Sequence, residues 1–275
     1  MSLLTIYYNA LKYGIRNKYV RKHIKYTQYS YSEDNINKIE DFLMCNQYNK
    51  TEAAVIFVGL KQIKYSLNID NPLKFVDSII KKYFDTQIVP TFTPSVVKTG
   101  VYDVRYTLSE NGTFSNYFLK SSDYRTLSPF KSYAISGKLV SEIKQIQVFN
   151  DYLENGMFDY INRKNIISLN IGTIDVRPST IHYCEYVSNV PYLKPRIIPV
   201  QIINENGNKS INNYYYLDYK RNVKFNRNKI ERDLLKNGIL TRLIVNDLVI
   251  RLINEQYCFE YLTNRLKKDP YYLIN

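Results

Sequence analysis

His182 is one of only two histidines in this 275-residue chain, and it stands two residues after Thr180 and three before Glu185. Imidazole titrates nearest neutrality among side chains, so a histidine is the default proton acceptor at pH 7. A carboxylate three positions on lies one helical turn away, where it can fix the ring's tautomer or hold the group being deprotonated. The same spacing also serves ordinary surface or capping pairs, so it leaves both readings open. Cys184, inside the pair, reads as a small packed residue rather than a nucleophile. No Gly-x-Ser-x-Gly elbow accompanies the histidine, which argues against a hydrolase built on it. A metal site would need further ligands, but the other histidine is His23 and no two of Cys45, Cys184 and Cys258 have zinc spacing. No metal is expected.

A chain of this length can bury one substantial core. Its formal net charge of +13 is compatible with nucleic acid, an anionic membrane surface or a phosphorylated ligand. The basic residues are scattered, however. The densest clusters, Lys18 to Lys25 and Lys220 to Arg232, lie in no zinc, helix-turn-helix or RNA-recognition motif, so they read as solvated faces and no nucleic-acid partner is expected. Three separated cysteines argue against a disulfide framework and fit a reducing compartment. Residues 1–19 lack the apolar core and cleavage site of a secretory leader, and no stretch approaches 18 apolar residues. The expectation is a cytoplasmic protein with no membrane span.

The elements that must carry the histidine can be traced along the chain. Residues 1–33 are rich in Tyr, Lys and Arg with weak helical periodicity, and are expected to form a helical extension to one large domain, 34–275. Ile36, Ile39, Phe42 and Leu43 recur with helical spacing. Ala53 to Val58 is the continuous apolar run of a strand buried on both faces. Asn71 and Pro72 open a helix through Tyr83, and Gln87 to Thr93 reads as the next strand, giving a β-α-β unit with a right-handed crossover. Ser109 to Leu119 opens a short helix. Tyr133 to Gly137 and Ile166 to Gly172 are further strands, as is Arg196 to Ile203, whose Pro199 points to a sheet edge. Asn204 to Lys209 is a hairpin turn. The C-terminal third is predicted to be mainly helical, over Lys229 to Asn237 and Asp247 to Lys268. The fold class expected is α/β, with a central mixed sheet flanked by helices in three layers.

Four stretches occur in the order of one family. Val89-Pro-Thr-Phe-Thr93 is similar to a strand ending in Pro-Thr-Phe-Thr. Gly112-Thr-Phe-Ser and then Arg125-Thr-Leu-Ser-Pro-Phe-Lys-Ser-Tyr-Ala-Ile-Ser-Gly137 resemble an Arg-Ser-x-His-Pro-x-His-Ser block. Gly172 through Thr180-Ile-His-Tyr-Cys-Glu185 to Val190-Pro-Tyr192 resembles a histidine segment ending in Val-Pro-Tyr, and Leu266-Lys-Lys-Asp-Pro-Tyr-Tyr-Leu273 is also similar. The family is that of the aminoglycoside 3-N-acetyltransferase-like enzymes, and the resemblance covers about residues 35–275. It implies transfer of an acetyl group from acetyl-CoA, or another acyl-CoA, directly to the amine of an amino sugar or aminoglycoside. His182 would be the general base and Glu185 its orienting carboxylate. Ser132 and Thr93 would face the acyl group and its oxyanion, Gly59 and Lys61 the CoA, and Lys131 and Thr180 the acceptor. The setting would be antibiotic resistance or polysaccharide biosynthesis, and a homodimer is allowed.

The chain also departs from the family pattern. Ser128 and Lys131 stand where the block has two histidines, and Phe57-Val-Gly59-Leu60-Lys61 stands where the family has His-Ser-Ser-Leu after its first strand. A chain of +13 with Lys131 at that position fits a less cationic or an anionic acceptor, such as a nucleotide-linked or glycan amino sugar. The alternative is a non-catalytic descendant that binds a sugar or a partner. Failure to bind acetyl-CoA would mark that case.

Overall fold

A computed structural model describes residues 27–46, 53–146, 148–220 and 223–275. The expected extension falls largely on residues 1–26, and the basic cluster at Lys18 to Lys25 and His23 lie wholly there, outside the described residues. Among the described residues the strands run in chain order as β1 (Ala53–Val58), β2 (Thr86–Pro90), β3 (Val101–Asp103), β4 (Tyr124–Arg125), β5 (Tyr133–Gly137), β6 (Ile167–Ile171), β7 (Leu193–Ile203), β8 (Lys209–Tyr219), β9 (Leu240–Val245) and β10 (Leu248–Asn254). The helices are α1 (Glu33–Cys45), α2 (Leu60–Leu67), α3 (Pro72–Tyr83), α4 (Val96–Thr99), α5 (Thr113–Leu119), α6 (Val140–Ile143), α7 (Met157–Arg163), α8 (Ile181–Val187), α9 (Arg227–Lys236) and α10 (Glu255–Lys268).

Seven strands form one mixed sheet in the order β4-β5-β2-β1-β6-β10-β9, with β1 parallel to both β2 and β6 and the outer pairs antiparallel. Parallel pairing of β1 with β2 through α2 and α3 is the crossover unit read from the sequence. Alternate residues of β1 serve opposite faces. Ala54 and Ile56 join the cluster under α1, α2, α3 and α5, whereas Ala53 and Val55 pack toward α6 and α7. Helices on both faces make the three layers. Helix α3 starts as its sequence requires: Asn71 accepts the Lys74 N–H at 3.0 Å and Pro72 occupies the first turn.

A second, three-stranded sheet in the order β3-β7-β8 stands beside the main one. β7 is its middle strand, but β3 pairs only with Gln201 to Ile203. Pro195 and Pro199 therefore lie where β7 has a neighbour on one side only, which is where proline costs no ladder bond.

The predicted helix from Asp247 to Lys268 is corrected. Only Glu255–Lys268 is helical, and Leu248–Asn254 is strand β10, paired with β6 and β9. A short continuous apolar run such as Leu-Val-Ile-Arg-Leu-Ile cannot be assigned by period, and a two-residue turn with Asn246 at φ 53° makes it half of a hairpin. The stretch after Gly238 likewise forms β9. Among the described residues no helix is long and apolar enough to cross a membrane.

Candidate active site

The parallel strands β1, β2 and β6 end on one side of the sheet, where open α/β sheets collect their ligands. A cavity of about 680 Å³ lies there, within the range of small-molecule sites. Its walls include Gly59 and Lys61 at the start of α2, Pro90 at the end of β2, Gly112 before α5, and Thr173 and Arg177 after β6. Gly59 is required by packing: a Cβ there would stand 1.8 Å from the Gly172 carbonyl oxygen of the neighbouring strand. From β10, Arg251 donates to the Thr173 carbonyl at 2.9 Å and pairs in bidentate fashion with Glu231, at 2.9 and 3.0 Å, which fixes that wall. Gly59 and Lys61, expected to meet CoA, both line this cavity.

The segment leaving the cavity at Arg177 leads directly into α8, which carries His182 and Glu185. Its entry is clamped from α10. The Glu255 carboxylate, fully buried, accepts the Ser179 N–H at 2.8 Å and the Thr180 N–H at 2.9 Å. These N–H groups belong to the cap residue of α8 and to the residue before it, and Glu255 itself sits in the first turn of α10, so one buried carboxylate ties the start of α8 to the start of α10. Thr180, expected to touch the acceptor, is itself fully buried at this clamp.

His182 and Glu185 do meet. Glu185 Oε2 lies 3.0 Å from His182 Nδ1, and its side chain is 1% exposed, while the ring keeps 21% of its surface open. A third member comes from the end of β8. The Tyr219 hydroxyl lies 2.7 Å from the same nitrogen and donates to Glu185 Oε2 at 2.7 Å. Burial, reinforced by the Glu185 charge, keeps the Tyr219 phenol well above its ordinary pKa and therefore protonated. With Nδ1–H directed at Glu185, Nε2 is left as an acceptor, and no described residue hydrogen-bonds to it. Burial, with the charge of Lys131 next, lowers the ring's pKa from 6.5 to about 4; Glu185 opposes the drop and Arg227 adds to it. At neutral pH the imidazole is an uncharged base.

Lys131 belongs to this electrostatic neighbourhood. Its Nζ stands 4.6 Å from the centre of the Phe92 ring, two residues beyond Pro90 of the cavity wall. Its backbone N–H donates to Ser128 Oγ at 3.3 Å, and Ser128 in turn donates to Asp151 at 2.6 Å. Ser132 and Thr93 are placed elsewhere. Both are fully buried; Ser132 donates to the Thr91 carbonyl at 2.7 Å, and Thr93 donates to the Pro129 carbonyl. Their hydroxyls fasten the segment after β2 to the turn before β5, and an acyl-binding role for them rests on the resemblance alone. Arg125, which opens the matching block, is also a strut: it donates to the carbonyls of Thr91, Val104 and Thr107.

Sequence reasoning missed Tyr219, Glu255 and Asp151. Nothing marks Tyr219 among 28 tyrosines, and Glu255 reads as an ordinary first-turn acid. Only long-range pairing brings either to α8. Among the described residues no group of three or more His, Cys, Asp or Glu side chains could hold a metal ion.

Solved structures share the architecture. The YokD protein from Bacillus subtilis superposes with a TM-score of 0.68 at 14% identity, over 88% of this chain and 96% of that one. AAC-IIIb in a binary complex with CoASH gives 0.65 at 10% identity, over 83% and 96%. A mutant of the aminoglycoside acetyltransferase AAC(3)-IVa in complex with a gentamicin gives 0.64 at 14%, over 90% and 93%. At such identities these likenesses define the fold alone, a mixed α/β architecture. The family model for aminoglycoside 3-N-acetyltransferase matches residues 81–267, and the chain belongs to that family. No curated protein sequence gives a significant match.

Proposed function

We propose that the chain is an acyl-CoA-dependent N-acyltransferase that acylates the amine of an amino sugar or aminoglycoside by direct attack, with His182 as general base. The observation that carries this reading is the uncharged imidazole whose Nδ1 is held by Glu185 and Tyr219 while no described residue hydrogen-bonds to Nε2. An amine that enters as an ammonium cannot attack a carbonyl. Nε2 takes its proton, Glu185 steadies the imidazolium that results, and the Tyr219 hydroxyl keeps the carboxylate aligned. The freed nitrogen adds to the thioester carbonyl, the adduct collapses with cleavage of the C–S bond, and the departing thiolate is protonated by the second proton that the nitrogen gives up.

The cavity beside β1, β2 and β6 suits acetyl-CoA in size, and two cations, Lys61 and Arg177, stand among its lining residues beside Glu110. When bound, acetyl-CoA supplies the activated acyl group. AAC-IIIb, of the same fold, is described in complex with CoASH, and AAC(3)-IVa with a gentamicin. A second reading, sugar binding without turnover, draws on the engaged Ser132 hydroxyl, which leaves the oxyanion without its expected side-chain donor. Thiol release from acetyl-CoA in the presence of amino sugars and aminoglycosides decides between them. Acceptor-dependent release supports the transferase; silence across the panel, with no heat of acetyl-CoA binding, supports the binding module.

A further inference from the structure

The turn between β4 and β5 places a lysine in the base's surroundings with no opposite charge in contact. Among the described residues no carboxylate forms an ion pair with Lys131. Its ammonium rests on the face of Phe92 at 4.6 Å, an arrangement that holds a cation without neutralising it.

The nearby acids are otherwise engaged. Glu185 is taken up by His182 and Tyr219. Asp151 accepts from Ser128 at 2.6 Å, and burial raises its pKa to about 7, so it carries only part of a charge at neutral pH. The Arg227 guanidinium lies 4.3 Å from the Phe225 ring centre, and Phe225 packs edge-on against His182 at 6.1 Å. The same Arg227 adds a second cation acting on the imidazole. Two cations from two different segments thus act on the ring. The 128–131 turn is tied to α8 through Asp151, whose neighbour Tyr152 packs against Tyr186 at 5.4 Å.

Such surroundings disfavour a polycation and leave one charge for the acceptor to meet. We infer that the acceptor is an amino sugar bearing an anionic group, a phosphate or a carboxylate, and that Lys131 is the residue that pairs with it. This rests on the transferase reading above and narrows it. The Lys131 ammonium stays half-buried on Phe92 until the anion arrives, and pairing then anchors the sugar while its amine faces His182. Burial brings the pKa of Lys131 down to about 8, opposed by Asp151 and Glu185, and an anion would bring it back up.

The test has two arms. In the first, acetylation of glucosamine, glucosamine 6-phosphate, UDP-glucosamine and gentamicin is compared in wild type, Lys131→Gln and Lys131→Arg. At least a tenfold preference in kcat/KM for a phosphorylated acceptor over glucosamine is expected, shrinking toward parity in Lys131→Gln and largely kept in Lys131→Arg. A preference for gentamicin, parity in wild type, or a preference that survives Lys131→Gln overturns the inference.

The second arm needs no turnover. Ring NMR of His182, in a His23→Gln background, is titrated with and without glucosamine 6-phosphate. The inference expects the phosphate to raise the His182 pKa in wild type and not in Lys131→Gln, while glucosamine leaves it in place. No shift in wild type, or the same shift in both proteins, contradicts it. Absence of acetylation in the first arm with a phosphate shift in the second rejects the transferase reading while keeping the anion site.

Discussion

At the scale of single residues, the site is a ring held from one side. Tyr219 and Glu185 both address Nδ1, so each can be removed to learn what it fixes. Tyr219→Phe deletes a donor from a carboxylate that is almost wholly buried. It is expected to cost about 1–3 kcal/mol in urea unfolding and to lower kcat about tenfold, with KM little changed. Equal kcat in wild type and variant would show that the phenol is packing only. The ring itself couples folding to pH. Its pKa is about 4 in the folded chain against 6.5 for an ordinary histidine, through burial first and Lys131 second, with Arg227 adding and Glu185 opposing. The unfolded chain therefore binds a proton more readily between those values. The stability that this residue contributes is complete above pH 6.5 and fades as pH falls toward 4, by up to about 3 kcal/mol. The unfolding free energies of wild type and His182→Gln should accordingly converge between about pH 7 and about pH 4.5; a constant difference contradicts the shifted ring.

At the scale of elements, the base depends on where α8 begins, and that is set from α10. Glu255 holds the Ser179 and Thr180 N–H groups from 76 and 75 residues away, and we treat it as a positioning residue. Glu255→Gln keeps one carbonyl acceptor for one of the two N–H groups and turns an NH2 donor toward the other. The expected result is a fall in kcat of one to two orders of magnitude, an unchanged KM for acetyl-CoA, and a displaced His182 ring resonance at a temperature well below melting. A variant that melts earlier but keeps both kcat and the ring resonance would reduce Glu255 to a structural clamp. This element also shows where sequence reading stopped. The His182–Glu185 pair was legible because both residues fall within one turn of one helix, and the crossover unit was legible because Asn71, Pro72 and the apolar spacing after them act locally. β10 is not legible as a strand because Leu248 to Ile253 has no period of its own, and its state is decided by β6 and β9 alongside it. Tyr219 and Glu255 left no local trace at all.

At the scale of the whole molecule, a seven-stranded sheet with helices on both faces brings a cavity at its strand ends to one end of the 173–180 segment and the base to the other. The small sheet delivers Tyr219, and the turn before β5 delivers Lys131. Four short stretches in order carry the family resemblance, and the strand–helix order carries the architecture; the proposed preference for an anionic acceptor has no local signal, because it depends on Lys131 and Arg227, from distant parts of the chain, both acting on His182. All of it converges on proton removal by Nε2. Acceptor-dependent thiol release by wild type and His182→Ala, on preparations of matched circular dichroism and melting temperature, measures that step most directly. The account expects kcat to fall at least about 100-fold in the variant, the low end of what a positioned general base contributes. A kcat within threefold of wild type would contradict it.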